Sequence, residues 1–175
     1  MEKSIQSDKT WNIFFCGTGG QGVLTAAELC AVAAMHAGFH VKKSEVHGMA
    51  QRGGSVESHV RFGKRIYSPL IEPKTADFLV CFHAGEGKRL SRYVKKGGIN
   101  FQRFIDNPQY RPTDQRFFNT FFLGMLSAFL GIKPQNWQTA MSQILKRNLP
   151  ENLRAFDEGN KAGLQFKKAD PGCLK

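Results

Sequence analysis

Metal-binding and disulfide patterns are missing from this sequence. Its four cysteines stand at positions 16, 30, 81 and 173, and no two of them have the C-x-x-C spacing common in zinc and iron–sulfur sites. Cys16 and Cys81 lie inside apolar runs, where a free cysteine behaves as a small hydrophobic side chain. We therefore predict that the chain holds no metal, and that another chain carries any electrons in its reaction.

Self-sufficient catalytic motifs are missing as well. No serine stands in a G-x-S-x-G elbow and no paired carboxylates stand out, so the sequence indicates neither a hydrolase elbow nor paired-carboxylate chemistry. His83 ends a predicted strand, a place where α/β proteins collect ligand-binding groups, but no second catalytic group accompanies it. We predict no catalytic residue in this chain.

Long apolar segments are also absent. Residues 117–130 form the longest, which is too short for a membrane-spanning helix and is broken by polar residues. The polar amino-terminal residues lack the apolar stretch of a secretion signal. We expect a cytoplasmic protein that has no membrane partner.

Acidic residues are few relative to basic ones. The chain has 25 lysines and arginines against 14 aspartates and glutamates, a formal charge of +11. The excess is concentrated between Lys88 and Arg116, where aromatic and basic residues are interleaved. Such a surface would attract an acidic protein, a phosphorylated ligand or nucleic acid, or would serve only solubility. Because no recognition motif accompanies it, we predict no nucleic-acid partner.

What the sequence does contain is an alternation of strand and helix patterns. Residues 12–16 form an apolar run typical of a strand buried on both faces, and apolar residues at helical spacing follow a glycine turn. Further strands are predicted at 39–43, 76–82 and from 99, a β-hairpin joins 55–61 to 66–67, and helices are predicted at 84–96, 117–130, 134–147 and 151–161. These patterns predict a three-layer α/β/α fold with a mixed, mostly parallel sheet, a β-hairpin insertion and a helical C-terminal third. We place a single domain at residues 12–165, between tails at 1–11 and 166–175.

The glycine loop after the first strand could face a ligand. Gly17, Gly19 and Gly22 fit G-x-G-x-x-G at a strand-to-helix turn, where glycine permits positive φ and close approach of the backbone. Free N–H groups at the start of the next helix favour an anion there. A dinucleotide would also need an acid such as Glu45, which two lysines crowd. NAD(P), another phosphate-bearing ligand or subunit contact, and a purely structural turn all remain possible interpretations.

A second glycine-rich loop covers residues 47–54 (HGMAQRGG). Its glycines permit a backbone path that other residues resist. Arg52 could offer two parallel N–H donors to a carboxylate or phosphate, and His47 could carry a proton or bind a ligand. Both side chains could instead bond only to neighbouring carbonyls within the loop.

The two loops together resemble a known family. The stretch FFCGTGGQGVLTAAELC, followed by KSEVHGMAQRGGSVESHVRFG, IYSPLI and ADFLVCF, is similar to the gamma domain of the pyruvate/2-oxoacid:ferredoxin oxidoreductases. Within that family, HGMAQRGGSV resembles the small (beta) subunit of the indolepyruvate type. NTFFLGMLSAFLG and PENLRAFDEG resemble the helical end of the same subunit, so the resemblance covers residues 12 to about 163.

The resemblance implies a division of labour among chains. A large partner subunit would bear thiamine diphosphate and iron–sulfur clusters, decarboxylate a 2-oxoacid and pass electrons to ferredoxin, while coenzyme A accepts the acyl group. This chain would bind no cofactor alone and would be inactive alone, and its two loops would face the site at the junction with the partner. The site residues so indicated are Gly17, Gly19, Gly20, Gln21, Gly22, His47, Gln51, Arg52, Gly53 and Gly54. The alternative is a standalone binder of a dinucleotide or coenzyme A through the glycine loop.

Overall fold

A five-stranded mixed sheet forms the centre of the computed structural model, which describes residues 9–47 and 53–172. The strands, in the spatial order β2-β3-β1-β4-β5, are β1 (Trp11–Thr18), β2 (His40–His47), β3 (Ser55–Gly63), β4 (Ala76–Cys81) and β5 (Val94–Asn100). β1 pairs in parallel with β4 and β4 with β5, whereas β3 runs antiparallel to β1 and β2. Four strands therefore point one way and β3 the other, which confirms the predicted mixed, mostly parallel sheet.

Helices cover both faces of this sheet. They are α1 (Val23–His36), α2 (Ala84–Arg89), α3 (Gln102–Ile105), α4 (Phe118–Leu130), α5 (Pro134–Ile144) and α6 (Leu149–Ala169). α1 and α4 pack on the face that carries Phe62 and Phe78. On the opposite face, Phe14 packs against His59 and against Tyr93 of a short 3-10 turn. The predicted three-layer arrangement results.

Position in the sheet explains the composition of each strand. β4 is buried along its whole length and β1 through most of its length, because both are central strands with neighbours on two sides. The edge strands β2 and β5 each carry two adjacent lysines, Lys42 with Lys43 and Lys95 with Lys96. Lysines on an edge strand hinder its pairing with a further strand of another molecule.

The β-hairpin predicted between residues 55–61 and 66–67 is wrong, and the antiparallel hairpin of the sheet is instead formed by β2 and β3. β3 pairs with β2 and not with Ile66 and Tyr67, neither of which lies in a strand. Residues 64–75 instead run across the face of the sheet, where side chains of the strands form hydrogen bonds with the backbone of this segment. Ile66 donates its N–H to His40 Nδ1 at 2.8 Å, and the Arg61 guanidinium donates to the Leu70 carbonyl at 3.1 Å.

The helix predicted at 84–96 is shorter than expected. α2 ends at Arg89, and Gly97 and Gly98 lie within β5 instead of marking the end of a helix. A Cβ on Gly98 would lie only 2.8 Å from the Ala76 carbonyl oxygen, so glycine is required where β5 approaches β4. The two glycines therefore belong to an irregular strand pairing, in which the register shifts between Ala76 and Phe78.

The helical C-terminal third is confirmed, and its last helix is longer than predicted. α6 continues to Ala169 and does not end near Lys161, because Phe166 is buried against Phe104 and Phe129. The stretch predicted as a C-terminal tail therefore begins inside α6. No helix within residues 9–47 and 53–172 is long and apolar enough to cross a membrane.

His59 makes the stability of this fold depend on pH. Its buried ring accepts the Ile71 N–H at Nδ1 over 2.9 Å, which a protonated ring cannot do. Burial lowers the pKa of His59 below its ordinary value of 6.5, and the charge of Glu57 offsets part of that change. The unfolded chain therefore binds a proton at higher pH than the folded chain. We expect the free energy of unfolding to decrease as the pH falls below about 6.5, by at most about 1.4 kcal/mol per pH unit.

Urea unfolding of the protein at about pH 7.5 and about pH 5.5 measures this effect. His59→Gln is the matched variant, because the glutamine oxygen can accept the same N–H without titrating. The variant should lose less stability than the natural protein on acidification. Equal losses in the two proteins would show that His59 is not responsible.

Candidate functional site

The two predicted loops meet at one edge of the sheet. The glycine loop follows the carboxyl end of β1, and the second loop leads into the amino end of β3, where Thr18 pairs with Ser55. The Gly19 N–H donates to the Gly54 carbonyl oxygen at 2.9 Å. This hydrogen bond joins two segments that are well separated in the sequence.

The side chain of Gln21 closes the glycine loop. Its Oε1 accepts the Thr18 N–H at 2.7 Å, and its Nε2 donates to the Phe82 carbonyl oxygen at 2.9 Å. A Cβ on Gly17 would lie 2.7 Å from Gln21 Oε1, so glycine at position 17 makes room for this side chain. Gln21 therefore fixes the loop to the end of β4.

Gly22 begins α1 in a backbone conformation that favours glycine. It is the N-cap residue with a φ of +75°, and a Cβ there would overlap Asn119 Nδ2. Asn119 in turn donates to the Gly22 carbonyl oxygen at 3.4 Å. Gly20 also has a positive φ, +96°, but nothing lies within 4 Å of where its Cβ would stand. Asn119 was not predicted as a site residue, and no local pattern marks it.

A cleft of about 450 Å³ opens beside the glycine loop. Its lining includes Gly20, Gln21 and Phe82 together with Asp106, Arg111, Arg116 and Asn119. Arg116 is exposed and forms an ion pair with Asp114 at 2.6 Å. The lining is mixed in charge, because Asp106 lies there with the two arginines and Arg116 is paired with Asp114. Arg111 and the glycine-loop backbone are therefore the groups of the cleft that could bind an anion.

The structure describes the second loop only at its ends. Gly53 has a φ of +73° with nothing within 4 Å of its would-be Cβ, and Gly54 makes the bond to Gly19. The backbone of His47 ends β2. Gln51 and Arg52 lie outside the described residues, so their contact with a ligand stays a prediction.

A polar network at this edge was not predicted, and we name it the α2 clamp. It consists of Ser55 and Glu57 on β3 with Glu86 and Arg89 on α2. One guanidinium nitrogen of Arg89 lies 2.5 Å from the Glu57 carboxylate and 2.6 Å from that of Glu86. Hydrogen bonds from Arg89 hold the pKa of Glu86 below its ordinary value, so its carboxylate stays ionised.

Cys16 and Cys81 lie side by side in β1 and β4, and both are fully buried. A hydrogen bond with Cys81, together with burial, raises the pKa of the Cys16 thiol. A neutral buried thiol is a poor nucleophile and a poor metal ligand. Among residues 9–47 and 53–172, no group of three or more histidines, cysteines or acids could hold a metal ion.

Glu45 lies away from the glycine loop. It stands on β2, which β3 separates from β1, and its carboxylate binds Lys43 at 2.7 Å. The acid that binds the ribose of a dinucleotide follows the strand adjacent to the glycine-loop strand. The sheet order therefore removes the basis for a dinucleotide site.

The basic residues between Lys88 and Arg116 do not form one uniform surface. Arg89, Lys95 and Arg116 are held in ion pairs with acidic side chains. Lys95 binds the buried Asp77 at 2.5 Å and so serves the fold. Some of the basic residues between Lys88 and Arg116 therefore stabilise the fold through ion pairs.

Comparison with known proteins finds one family. The family model described as "Pyruvate ferredoxin/flavodoxin oxidoreductase" matches residues 12–113, which include every predicted site residue. The chain is 47% identical over 93 residues to indolepyruvate oxidoreductase subunit IorB of Thermococcus kodakarensis, covering 53% of this chain and 46% of that protein. The IorB subunit of Archaeoglobus fulgidus is also 47% identical, over 88 residues, covering 50% of this chain and 43% of that protein. The chain thus spans about half the length of the curated relatives it matches.

Solved structures share the fold. The gamma subunit of a keto/oxoacid ferredoxin oxidoreductase from Geobacter sulfurreducens has a TM-score of 0.68 at 22% identity, over 89% of this chain and 99% of that chain. The 2-oxoglutarate:ferredoxin oxidoreductase from Magnetococcus marinus, solved with 2-oxoglutarate, coenzyme A and succinyl-CoA bound, has a TM-score of 0.75 at 21% identity. That match covers 94% of this chain and 33% of the other.

Proposed function

The chain belongs to the pyruvate ferredoxin/flavodoxin oxidoreductase family, and on that premise we propose that it is the small, gamma-type subunit of a 2-oxoacid:ferredoxin oxidoreductase. Its 2-oxoacid is indolepyruvate or another arylpyruvate, in line with the name of the relatives at 47% identity. The observation that carries the proposal is the Gly19–Gly54 hydrogen bond, because it brings both family-like loops to one edge.

In this proposal the chain supplies a binding surface, and a large partner subunit supplies the redox groups. The partner bears thiamine diphosphate and iron–sulfur clusters and passes electrons to ferredoxin. Within residues 9–47 and 53–172 the cysteines do not suit a cluster, because Cys16, Cys30 and Cys81 are all buried and no group of three ligating side chains stands together. The described residues therefore bind and orient a ligand and carry no electrons.

The cleft beside the glycine loop suits the phosphate-bearing part of coenzyme A. Arg111 provides positive charge, Arg116 is paired with Asp114, and Gly20 leaves the loop backbone open to close approach. Gln21 and Asn119 keep that backbone in place from either side. Coenzyme A was bound in the Magnetococcus marinus relative, which has the same fold over this chain's length.

Purification of the tagged chain from its natural source tests the proposal. We expect a large chain containing thiamine diphosphate and iron–sulfur clusters to accompany it. The same chain expressed alone should be colourless and should not reduce a dye with indolepyruvate. Reduction of the dye by the isolated chain, or purification without any partner, would contradict the proposal.

A further inference from the structure

The α2 clamp holds the residue next to the bond that joins the two loops. We propose that Arg89 and Glu86 are positioning residues of the ligand site, acting through Ser55 on Gly54 and so on the glycine loop. This inference rests on the proposed function and adds residues that lie outside both loops.

The clamp binds Ser55 from two sides. The Ser55 hydroxyl donates to Glu86 Oε2 at 2.7 Å and accepts from the Arg89 guanidinium at 2.8 Å. Ser55 directly follows Gly54, whose carbonyl accepts the Gly19 N–H. A shift of Ser55 therefore moves the acceptor of that hydrogen bond.

α2 can hold Ser55 in place because α2 is itself seated on the sheet. A Cβ on Gly87 would lie 2.7 Å from Cys81 Sγ and 3.0 Å from Gln102 Cβ, so the helix lies close against the end of β4. The Asn100 side chain donates to the Gly87 carbonyl oxygen at 3.2 Å. Contacts with the ends of β4 and β5 therefore fix the position of α2, and α2 in turn fixes the position of Ser55 at the start of β3.

Removal of the Arg89 guanidinium would leave two carboxylates of the α2 clamp without their shared cation. Glu57 and Glu86 are only 18% and 16% exposed, and both bind the same Arg89 nitrogen. Without that cation the two carboxylates repel each other at short range. Because Arg89 is 46% exposed and lies outside the hydrophobic core, we expect the repulsion to displace Ser55 and α2 and to leave the fold intact.

Hydrogen exchange at the Gly19 amide tests the structural half of the inference. In Arg89→Gln this amide should exchange at least about tenfold faster, while amides inside β1 keep their rates. Arg154→Gln is the control, because it removes an arginine that faces Glu151 on α6, away from this edge. It should change neither the exchange rate of the Gly19 amide nor the rates of amides inside β1. An unchanged Gly19 rate in Arg89→Gln would overturn the inference.

Kinetics of the complex with its large subunit test the functional half. Arg89→Gln should raise the KM for coenzyme A about tenfold and change kcat by less than about threefold, and Arg89→Lys should recover part of the loss. Ser55→Ala, which removes both hydrogen bonds between α2 and Ser55 at the start of β3, provides the same test if the Arg89 variant does not assemble. Faster Gly19 exchange with an unchanged KM would overturn the positioning role and leave the proposed function standing. If the natural complex shows no coenzyme A-dependent activity, the proposed function fails, and the exchange experiment still decides whether the clamp holds the loops.

Discussion

Gly159→Ala is expected to lower the free energy of unfolding by about 3 kcal/mol, although alanine is usually the better helix former. Gly159 lies where α6 crosses α4, and a Cβ there would overlap the Phe121 carbonyl oxygen and lie 3.1 Å from the Met125 nitrogen. Both atoms belong to helix backbone, which cannot move aside without separating the two helices. Denaturant unfolding followed by circular dichroism measures the change.

Gln165→Ala is the control for this prediction. It introduces the same residue into the same helix at an exposed position, and it should change stability by less than about 0.5 kcal/mol. Gly124→Ala should resemble Gly159→Ala, because its Cβ would overlap the Phe156 carbonyl oxygen from the α4 side. If Gly159→Ala is as stable as the control, then α4 and α6 do not approach each other as closely as the structure shows.

Gly22→Ala is expected to lower kcat/KM of the assembled complex at least about tenfold. The left-handed backbone at Gly22 costs a residue with a Cβ about 1–2 kcal/mol, and the new methyl group would also displace Asn119. Both effects disturb the start of α1 and one wall of the cleft. The kinetics of 2-oxoacid oxidation with coenzyme A measure the loss.

Two further variants separate the backbone cost of Gly22→Ala from its overlap with Asn119, and the measured quantity is the free energy of unfolding. Gly20→Ala also places alanine at a positive φ, but with nothing within 4 Å of the new methyl group, so it should destabilise the chain less than Gly22→Ala. Asn119→Ala added to Gly22→Ala removes the overlap and should recover part of the stability. No recovery would mean that Asn119 does not pack on Gly22.

The first strand, the glycine loop and α1 could be predicted from sequence because their signals are local. An apolar run, glycines at a turn and apolar residues at helical spacing lie within one continuous stretch. Gly38 has a φ of +86° two residues after the end of α1, the conformation typical of a glycine that follows a helix. Each of these features depends only on residues that are neighbours in the chain.

Strand partners could not be predicted in the same way. The residues of β3 predict a strand but do not say which strand lies beside it. Ile66 and Tyr67 looked like a partner because a turn precedes them, yet the longer β2 offers a full set of backbone bonds. The helix end predicted at residue 96 is wrong for a similar reason, since Gly97 and Gly98 fit a helix end as well as an irregular strand.

The residues of the candidate site also differ in whether a local sequence pattern predicts them. The glycine loop was predicted from its own residues, whereas Asn119 reaches Gly22 across 97 positions and Arg89 reaches Glu57 across 32. Asparagine, arginine and glutamate are common on surfaces, so only the folded chain marks these as members of the site. The predicted meeting of the two loops drew on family resemblance, and the Gly19–Gly54 hydrogen bond gives it a physical basis.

We propose that this chain completes a 2-oxoacid:ferredoxin oxidoreductase without performing redox chemistry itself. Reconstitution tests it most directly, with this chain and the large subunit produced separately and then mixed. Indolepyruvate- and coenzyme A-dependent reduction of ferredoxin should require both chains, and Gly22→Ala should reduce it at least about tenfold. Full activity of the large subunit alone, or unchanged activity with Gly22→Ala, would contradict the claim.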